Sequence, residues 1–288
     1  MTTKSSGRGG PIVLKLGGLA IDDPASNGLL WEAVAKLARS APGGLVVVHG
    51  GGILVDRHLA ALGIASERRE GIRITPPEQV WEITSVLAGR VNVALVGALR
   101  VAGAKPVGVS LGSSGVANCK KSTKFTFDPG QVGEVSGGDG SALMALLRSG
   151  FLPVVSCIGI GDDGVPLNIN ADDAASGLAL NLNADRLILL TDVAGIQDEN
   201  GAVVPEISTE GVNDLITRGV ITGGMIAKAR AAIDAADRSG APTVIASWKT
   251  PKIIADLARG LKAGTCVMPR RRPAFVEPSG ATAAPART

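Results

Sequence analysis

Several short stretches of this chain bring together residue types that neither a core nor a plain surface requires. Lys15 interrupts the apolar run Ile12-Val-Leu-Lys-Leu16 and stands directly before Gly17 and Gly18. Gly50, Gly51 and Gly52 follow the run Leu45-Val-Val-Val-His49. Gly223 and Gly224 precede Met225 and, in the first turn of an expected helix, Lys228. The first group directly follows a strand, and the other two sit where a strand or loop gives way to a helix. Bare backbone lets N–H groups approach a ligand, and a helix N-terminus adds partial positive charge, so all three turns are suited to anions. A lysine in the first turn of a helix opposes the dipole, a conflict that disappears if Lys228 faces a bound phosphate. Lys15 is suited to the same work.

Two further groups complete the set. In an extended segment Asn168, Asn170 and Asp172 project to one side, a poor core and a good polar site. Arg73 alternates with Ile72 and Ile74, and a guanidinium matches a carboxylate bidentately. Each reading has a plainer alternative. Lys15 is then an edge-strand or surface lysine, Arg73 a solvated arginine, Asn170 or Asp172 an N-cap, and the triple glycine a tight turn without a ligand. His49 reads as a hydrogen-bonded strand-end residue and is given no proton-transfer role.

The elements that must position these residues follow from periodicity. Strands are predicted at 12–16, 45–49, 105–110, 151–156, 186–190, 243–246 and 264–268, most of them short β-branched runs of the kind buried on both faces. Helices are predicted at 29–37, 53–62, 141–147, 174–182, 225–237 and 251–257, with a short helix around Leu215 and Ile216. A long helix begins at Pro76-Pro77, carries Val80, Ile83, Leu87, Val91, Leu95 and Leu99 on one face, and closes at Gly103. Residues 66–75 read as a short strand or hairpin edge, and 111–136, including Lys124-Phe-Thr-Phe127, as edge hairpins. The alternation gives an α/β fold with a mainly parallel central sheet sandwiched by helices on both faces. A disordered leader is expected over 1–10 and a disordered tail over 269–288. Between them an N-terminal lobe, 11–184, and a C-terminal lobe, 185–268, meet near residue 184.

Bulk properties exclude several classes. The chain has 288 residues, 45% hydrophobic, with 39 glycines, only 2% aromatics and no Tyr. Net charge is +3, much of it in Arg270, Arg271, Arg272 and Arg287, so charge gives no argument for nucleic acid. Cys119, Cys157 and Cys266 lack metal or disulfide spacing and read as reduced thiols of a cytoplasmic protein. The first ten residues lack the apolar core of a signal peptide, and no run of ~18 apolar residues marks a membrane span. There is no P-loop, no dinucleotide fingerprint followed by an acidic ribose contact, and no protein-kinase motif set. Two histidines alone, His49 and His58, make no metal cluster.

Six segments occur in order: Lys15-Leu-Gly-Gly18, Val48-His-Gly-Gly-Gly52, Gly71-Ile-Arg-Ile-Thr75, Asn168-Ile-Asn-Ala-Asp172, Leu190-Thr-Asp-Val-Ala-Gly195 and Gly223-Gly-Met-Ile-Ala-Lys228. Together, over residues 11–268, they resemble the amino acid kinase family, in particular the branch that uses ATP to phosphorylate the γ-carboxylate of N-acetyl-L-glutamate in arginine biosynthesis. Leu111-Gly-Ser-Ser114 and Ile245-Ala-Ser-Trp-Lys249 are most similar to its arginine-insensitive, enterobacterial-type dimeric members. The resemblance implies that Lys15 and Lys228 stabilise the transferring phosphoryl group, that Gly18 and Gly51 donate N–H groups to it, and that Asp172 holds both lysines. It implies that Gly51, Gly52, Arg73, Asn168 and Asn170 bind the acid. Lys15, Gly17, Asp192, Gly195, Gly223, Gly224 and Met225 would bind the nucleotide, with Mg2+ carried by the ATP phosphates and no dedicated metal ligand. The expected partners are N-acetyl-L-glutamate, ATP and a second copy in a homodimer, with no nucleic acid and no membrane. Rivals are a sister kinase acting on another acid, such as carrier-bound aminoadipate, and a non-catalytic nucleotide- or amino-acid-binding regulator.

Overall fold

The computed structural model describes residues 9–259 and 261–270. The leader expected over 1–10 and the tail expected over 269–288 lie almost entirely outside the described residues. In chain order the first half comprises β1 (Ile12–Leu16), α1 (Gly28–Ser40), β2 (Leu45–His49), α2 (Gly52–Ala61), β3 (Arg68–Arg69), β4 (Ile72–Arg73), α3 (Val80–Thr84), α4 (Asn92–Val101) and β5 (Pro106–Ser110). Then come β6 (Asn118–Lys121), β7 (Val132–Gly137), α5 (Ser141–Arg148), β8 (Leu152–Ser156), β9 (Ile158–Ile160), β10 (Pro166–Ile169) and α6 (Ala171–Asn181). The remainder is β11 (Arg186–Thr191), β12 (Glu206–Ser208), α7 (Thr209–Thr217), α8 (Gly224–Ser239), β13 (Thr243–Ser247), α9 (Pro251–Ala258) and β14 (Thr265–Met268).

Eight strands form one sheet in the order β12-β14-β13-β11-β1-β2-β8-β5, parallel except where β13 meets β14. Among the apolar runs, β2, β8 and β13 are buried at every residue, whereas β5, at the edge of the sheet, is only partly buried. Helix α1 packs against α4 and α9, and α6 against α8, which gives the two helix layers. β1 lies at the centre, with β2 on one side and β11 on the other. Strand order therefore reverses there, and the crevice beyond the strand ends at such a point is where open α/β sheets bind ligands. A four-stranded sheet, β6-β7-β10-β9, and the β3-β4 hairpin flank that end. The expected lobe boundary near 184 falls in the α6–β11 connection.

Three expectations change. The long helix starts at Val80 rather than at Pro76, and Ser85–Val91 between α3 and α4 is π-helical. Its six face residues, Val80, Ile83, Leu87, Val91, Leu95 and Leu99, are all buried as expected. From Ile83 onward they recur every four residues. That spacing outruns a helix of 3.6 residues per turn, and a π-helical stretch absorbs the drift by placing more residues in each turn. The helical run Val80–Val101 is also long and apolar enough to cross a membrane by composition, yet it packs on β5, β8 and α1 within the core. Third, Lys124-Phe-Thr-Phe127 forms no strand. Phe125 and Phe127 stack on each other at 5.3 Å, and Arg69 of the hairpin lies 4.4 Å from the Phe127 ring.

Candidate active site

Lys15 is no edge residue. It occupies the central strand, paired in register with Val48 of β2 and Leu189 of β11. Its ammonium reaches Asp172 in the first turn of α6, with Nζ 2.8 Å from Oδ1. The side chain is 16% exposed and that of Asp172 38%, so the pair is partly desolvated and open on one side. Asp172 is placed by Asn170, the α6 N-cap, whose side-chain oxygen accepts from the backbone N–H groups of Asp172 at 2.8 Å and Asp173 at 3.4 Å. Asn170 thus caps the helix and also lines a cavity. Asn168 stays extended at the end of β10 and donates to Thr75 Oγ1 at 3.0 Å.

That cavity, about 280 Å³, gathers Lys15, Gly17, Gly18, Gly51, Gly52, Arg73, Asn168, Asn170 and Asp172. Ile83 and Leu87 give it an apolar wall. Arg73 is buried, at 6% exposure, and is less free than expected. Its Nη1 donates to Asp56 and Ser66, and its Nη2 to the Gly52 carbonyl at 2.9 Å. A guanidinium has five N–H donors, so Nε–H and one Nη2 hydrogen are left for a ligand. Arg68, one strand over on the hairpin, donates to the other oxygen of Asp56 at 3.0 Å and lines the same cavity. Burial works to raise the Asp56 pKa, but hydrogen bonds from Arg73, Arg68 and Ser66 outweigh it and hold the carboxyl at about 2.

A second cavity, about 350 Å³, opens beside the first and is lined by Lys15, Gly17, Gly18, Asp172, Asp192 and Lys228, with Trp248 and Ile53. Here one expectation is corrected. Among the described residues Asp172 pairs with Lys15 alone, whereas Lys228 pairs with Asp192, which follows the C-terminal end of β11. Asp192 stands close enough to take the ammonium that projects from the first turns of α8. The hydrogen bond from Lys228 is the main cause that lowers the Asp192 pKa. Gly195 and Met225 line a further pocket, with Val193, Gln197 and Ile221. Gly223 and Gly224 line none of these three cavities and form the turn into α8; Gly223 has φ +54. A larger cavity of about 580 Å³ lies at the opposite edge of the sheet, by Leu45, Lys105 and Leu152. The C-termini of α1, α4 and α5 end there, and Arg39, Lys105 and Arg148 line it as well.

The comparisons with known proteins bear on the same region. Residues 10–247 match the amino acid kinase family. The chain belongs to the amino acid kinase family. Acetylglutamate kinase of Moritella profunda is 42% identical over 257 residues, which is 89% of this chain and 96% of that protein. Acetylglutamate kinase of Colwellia psychrerythraea is 40% identical, covering 90% of this chain and 97% of that protein. Among solved structures, smu.665 of Streptococcus mutans UA159 superposes with a TM-score of 0.69 at 29% identity, covering 90% of this chain and 98% of that one. In this member of the amino acid kinase family, sequence reasoning missed Asp56 and Ser66, which hold Arg73, Arg68, which shares Asp56 with it, and also Thr75, Trp248 and Cys157. Arg68 had a signal, since it sits in the same predicted hairpin as Arg73. Asp56 had none, being one acidic residue on a helix surface. Cys157 lines the acid-side cavity, and burial pushes its thiol up to about 12, so it is inert.

Proposed function

We propose that this chain transfers the γ-phosphoryl group of ATP to the side-chain carboxylate of N-acetyl-L-glutamate, giving an acyl phosphate and ADP. One observation carries the reading: Lys15, Gly17, Gly18 and Asp172 line both the acid-side cavity and the cavity that holds Lys228. These four residues form the seam that a phosphoryl group must cross from one cavity to the other. The name of the curated relatives supplies the substrate.

A glutamate-type carboxylate is ionised at neutral pH and needs no general base. Bringing that anion against a polyanion is the difficulty, and phosphoryl transfer is mostly positioning and charge stabilisation. Lys15 from β1 and Lys228 from α8 meet the transferring group from two sides, while the Gly18 and Gly51 amides donate to its oxygens. The acid lies against Gly52, Asn168 and Asn170, with the remaining Arg73 donors on its α-carboxylate. Asp192 in the second cavity, Gly195 and Met225 in the adjoining one, and the Gly223-Gly224 turn border the nucleotide.

Among the described residues no group of three His, Cys, Asp or Glu could hold a metal ion. We read Mg2+ as carried by the ATP phosphates, where it would neutralise charge. Two lobes, 11–184 for the acid and 185–268 for ATP, would share the one sheet. We read the chain as a homodimer, supported by the exposed apolar side chains Trp81, Val93 and Val101 along the long helix.

The test is ADP release that depends on N-acetyl-L-glutamate, with hydroxylamine trapping the acyl phosphate. Trapping with another acid and none with this one would move the chain to a sister kinase. ATP binding without any turnover would make it a regulator.

A further inference from the structure

His49 ends β2 and is fully buried. Its Nδ1 lies 2.8 Å from the carbonyl oxygen of Gly50. A carbonyl only accepts, so Nδ1 carries the proton and Nε2 is bare. Asn92 Nδ2 lies 3.0 Å from that Nε2 and donates to it, and donates also to the Val154 carbonyl on β8 at 2.9 Å. The Asn92 carbonyl oxygen faces Gly108 of β5, where a Cβ would come within 2.1 Å of it. The network thus spans three adjacent strands, β2, β8 and β5, and the long helix. Burial lowers the His49 pKa to about 4, against the opposing effect of the Gly50 hydrogen bond, so the ring is neutral at physiological pH.

The consequence falls on the next peptide. The Gly50–Gly51 unit is planar and trans, so its C=O and N–H point in opposite directions. Holding the Gly50 oxygen toward the buried ring turns the Gly51 N–H away from the core, toward the cavity that Gly51 lines. That N–H has no hydrogen-bond partner among the described residues. The Gly50 N–H is itself tied to the Leu16 carbonyl at 3.1 Å. Behind the turn, Leu87 and Val91 of the π-helical segment close on Gly51, leaving 2.8 Å and 3.1 Å to the place of a Cβ.

We propose that His49, with its tautomer set by Asn92, is a positioning residue that aims the Gly51 amide at the phosphoryl group in transfer. It touches no substrate and moves no proton. The inference rests on the kinase reading of the site. Two variants separate aiming from packing. In His49→Asn the side-chain amide nitrogen overlays Nδ1 and keeps the donor to Gly50. In His49→Gln the side-chain amide oxygen can stand in for Nε2 and accept from Asn92, while the donor to the Gly50 carbonyl is lost.

The experiment measures kcat and both KM values for the two folded variants. His49→Gln is expected to lose about 10–100-fold in kcat with the ATP KM little changed, as befits one misaimed transition-state donor. His49→Asn stays within about threefold of the unsubstituted enzyme. Equal kcat for His49→Gln and the unsubstituted enzyme overturns the proposal. Should either variant fail to fold, nitrogen NMR of the unsubstituted protein decides. Only two histidines need assignment. An Nδ1–H tautomer at His49 with a Gly51 amide shifted by N-acetyl-L-glutamate supports it, and an Nε2–H tautomer or an unmoved Gly51 amide overturns it. Absence of acid-dependent ADP release by the unsubstituted protein would instead sink the kinase reading.

Discussion

Lys15 and Asp172 form a 2.8 Å ion pair at the seam between the two cavities, one partner on the central strand and the other in the first turn of α6. The pair sets where the ammonium stands before any substrate arrives, so no reorganisation is needed at the moment of transfer. Lys15→Ala should lower kcat by about 10²–10³ while the melting temperature moves by only a few degrees. Asp172→Asn keeps a hydrogen-bond acceptor and removes the charge, and a smaller loss, about tenfold, is expected. Steady-state rates with both substrates saturating check this. Near-normal turnover of Lys15→Ala would remove that lysine from the mechanism.

Lys228 faces a different carboxylate, and the two lysines therefore answer differently to mutation. Asp192→Asn releases Lys228 without touching Lys15. The expected result is a raised ATP KM, by about three- to tenfold, with the acid KM unchanged. Lys228→Ala should instead lower kcat by about 10²–10³. An Asp192→Asn enzyme with a raised acid KM and an unchanged ATP KM would show that this pair does not border the nucleotide.

The sheet, its helix layers and most residues that line the two cavities were legible because they leave local marks: β-branched runs, glycine groups at strand ends and helix starts, a lysine in an apolar strand. What stayed hidden is pairwise and distant. Nothing near Asp56 in the chain tells that it will hold both Arg68 and Arg73, since the pairing depends on how α2 meets the β3-β4 hairpin. The choice between Asp172 and Asp192 for Lys228 is set by reach across the cavity, not by spacing. The π-helical segment did leave a mark, the four-residue recurrence from Ile83 to Leu99, which an ideal helix cannot keep on one face. His49 looked like an ordinary strand end, and its role depends on Asn92, 43 residues away.

Arg73 offers its two remaining donors only while Asp56, Ser66 and the Gly52 carbonyl hold the other three. Arg73→Ala should raise the acid KM by at least tenfold and leave the ATP KM within about twofold. Asp56→Ala should do the same more weakly, because both guanidiniums remain but are no longer aimed. Arg73→Lys should not rescue, since an ammonium cannot reproduce the fork. An unchanged acid KM in Arg73→Ala would take this arginine out of the acid site.

Stability against pH should carry the signature of His49. Its folded pKa, about 4, lies below the ordinary 6.5, so between these values the unfolded chain binds a proton that the folded protein does not. Stability then rises with pH through this window, is complete above about 6.5, and is lost as pH falls toward 4. For so buried a ring the span corresponds to a loss on the order of 3 kcal/mol. Asp56 adds a separate loss only at more acid pH, as its carboxyl protonates between the ordinary 3.8 and about 2. Urea unfolding at pH 7, 5.5 and 4.5 should show a progressive fall in the midpoint, and His49→Asn should flatten it because asparagine does not titrate. A midpoint that stays level from pH 7 to 4.5 would mean that the ring takes up a proton without cost, against its buried contacts with Gly50 and Asn92.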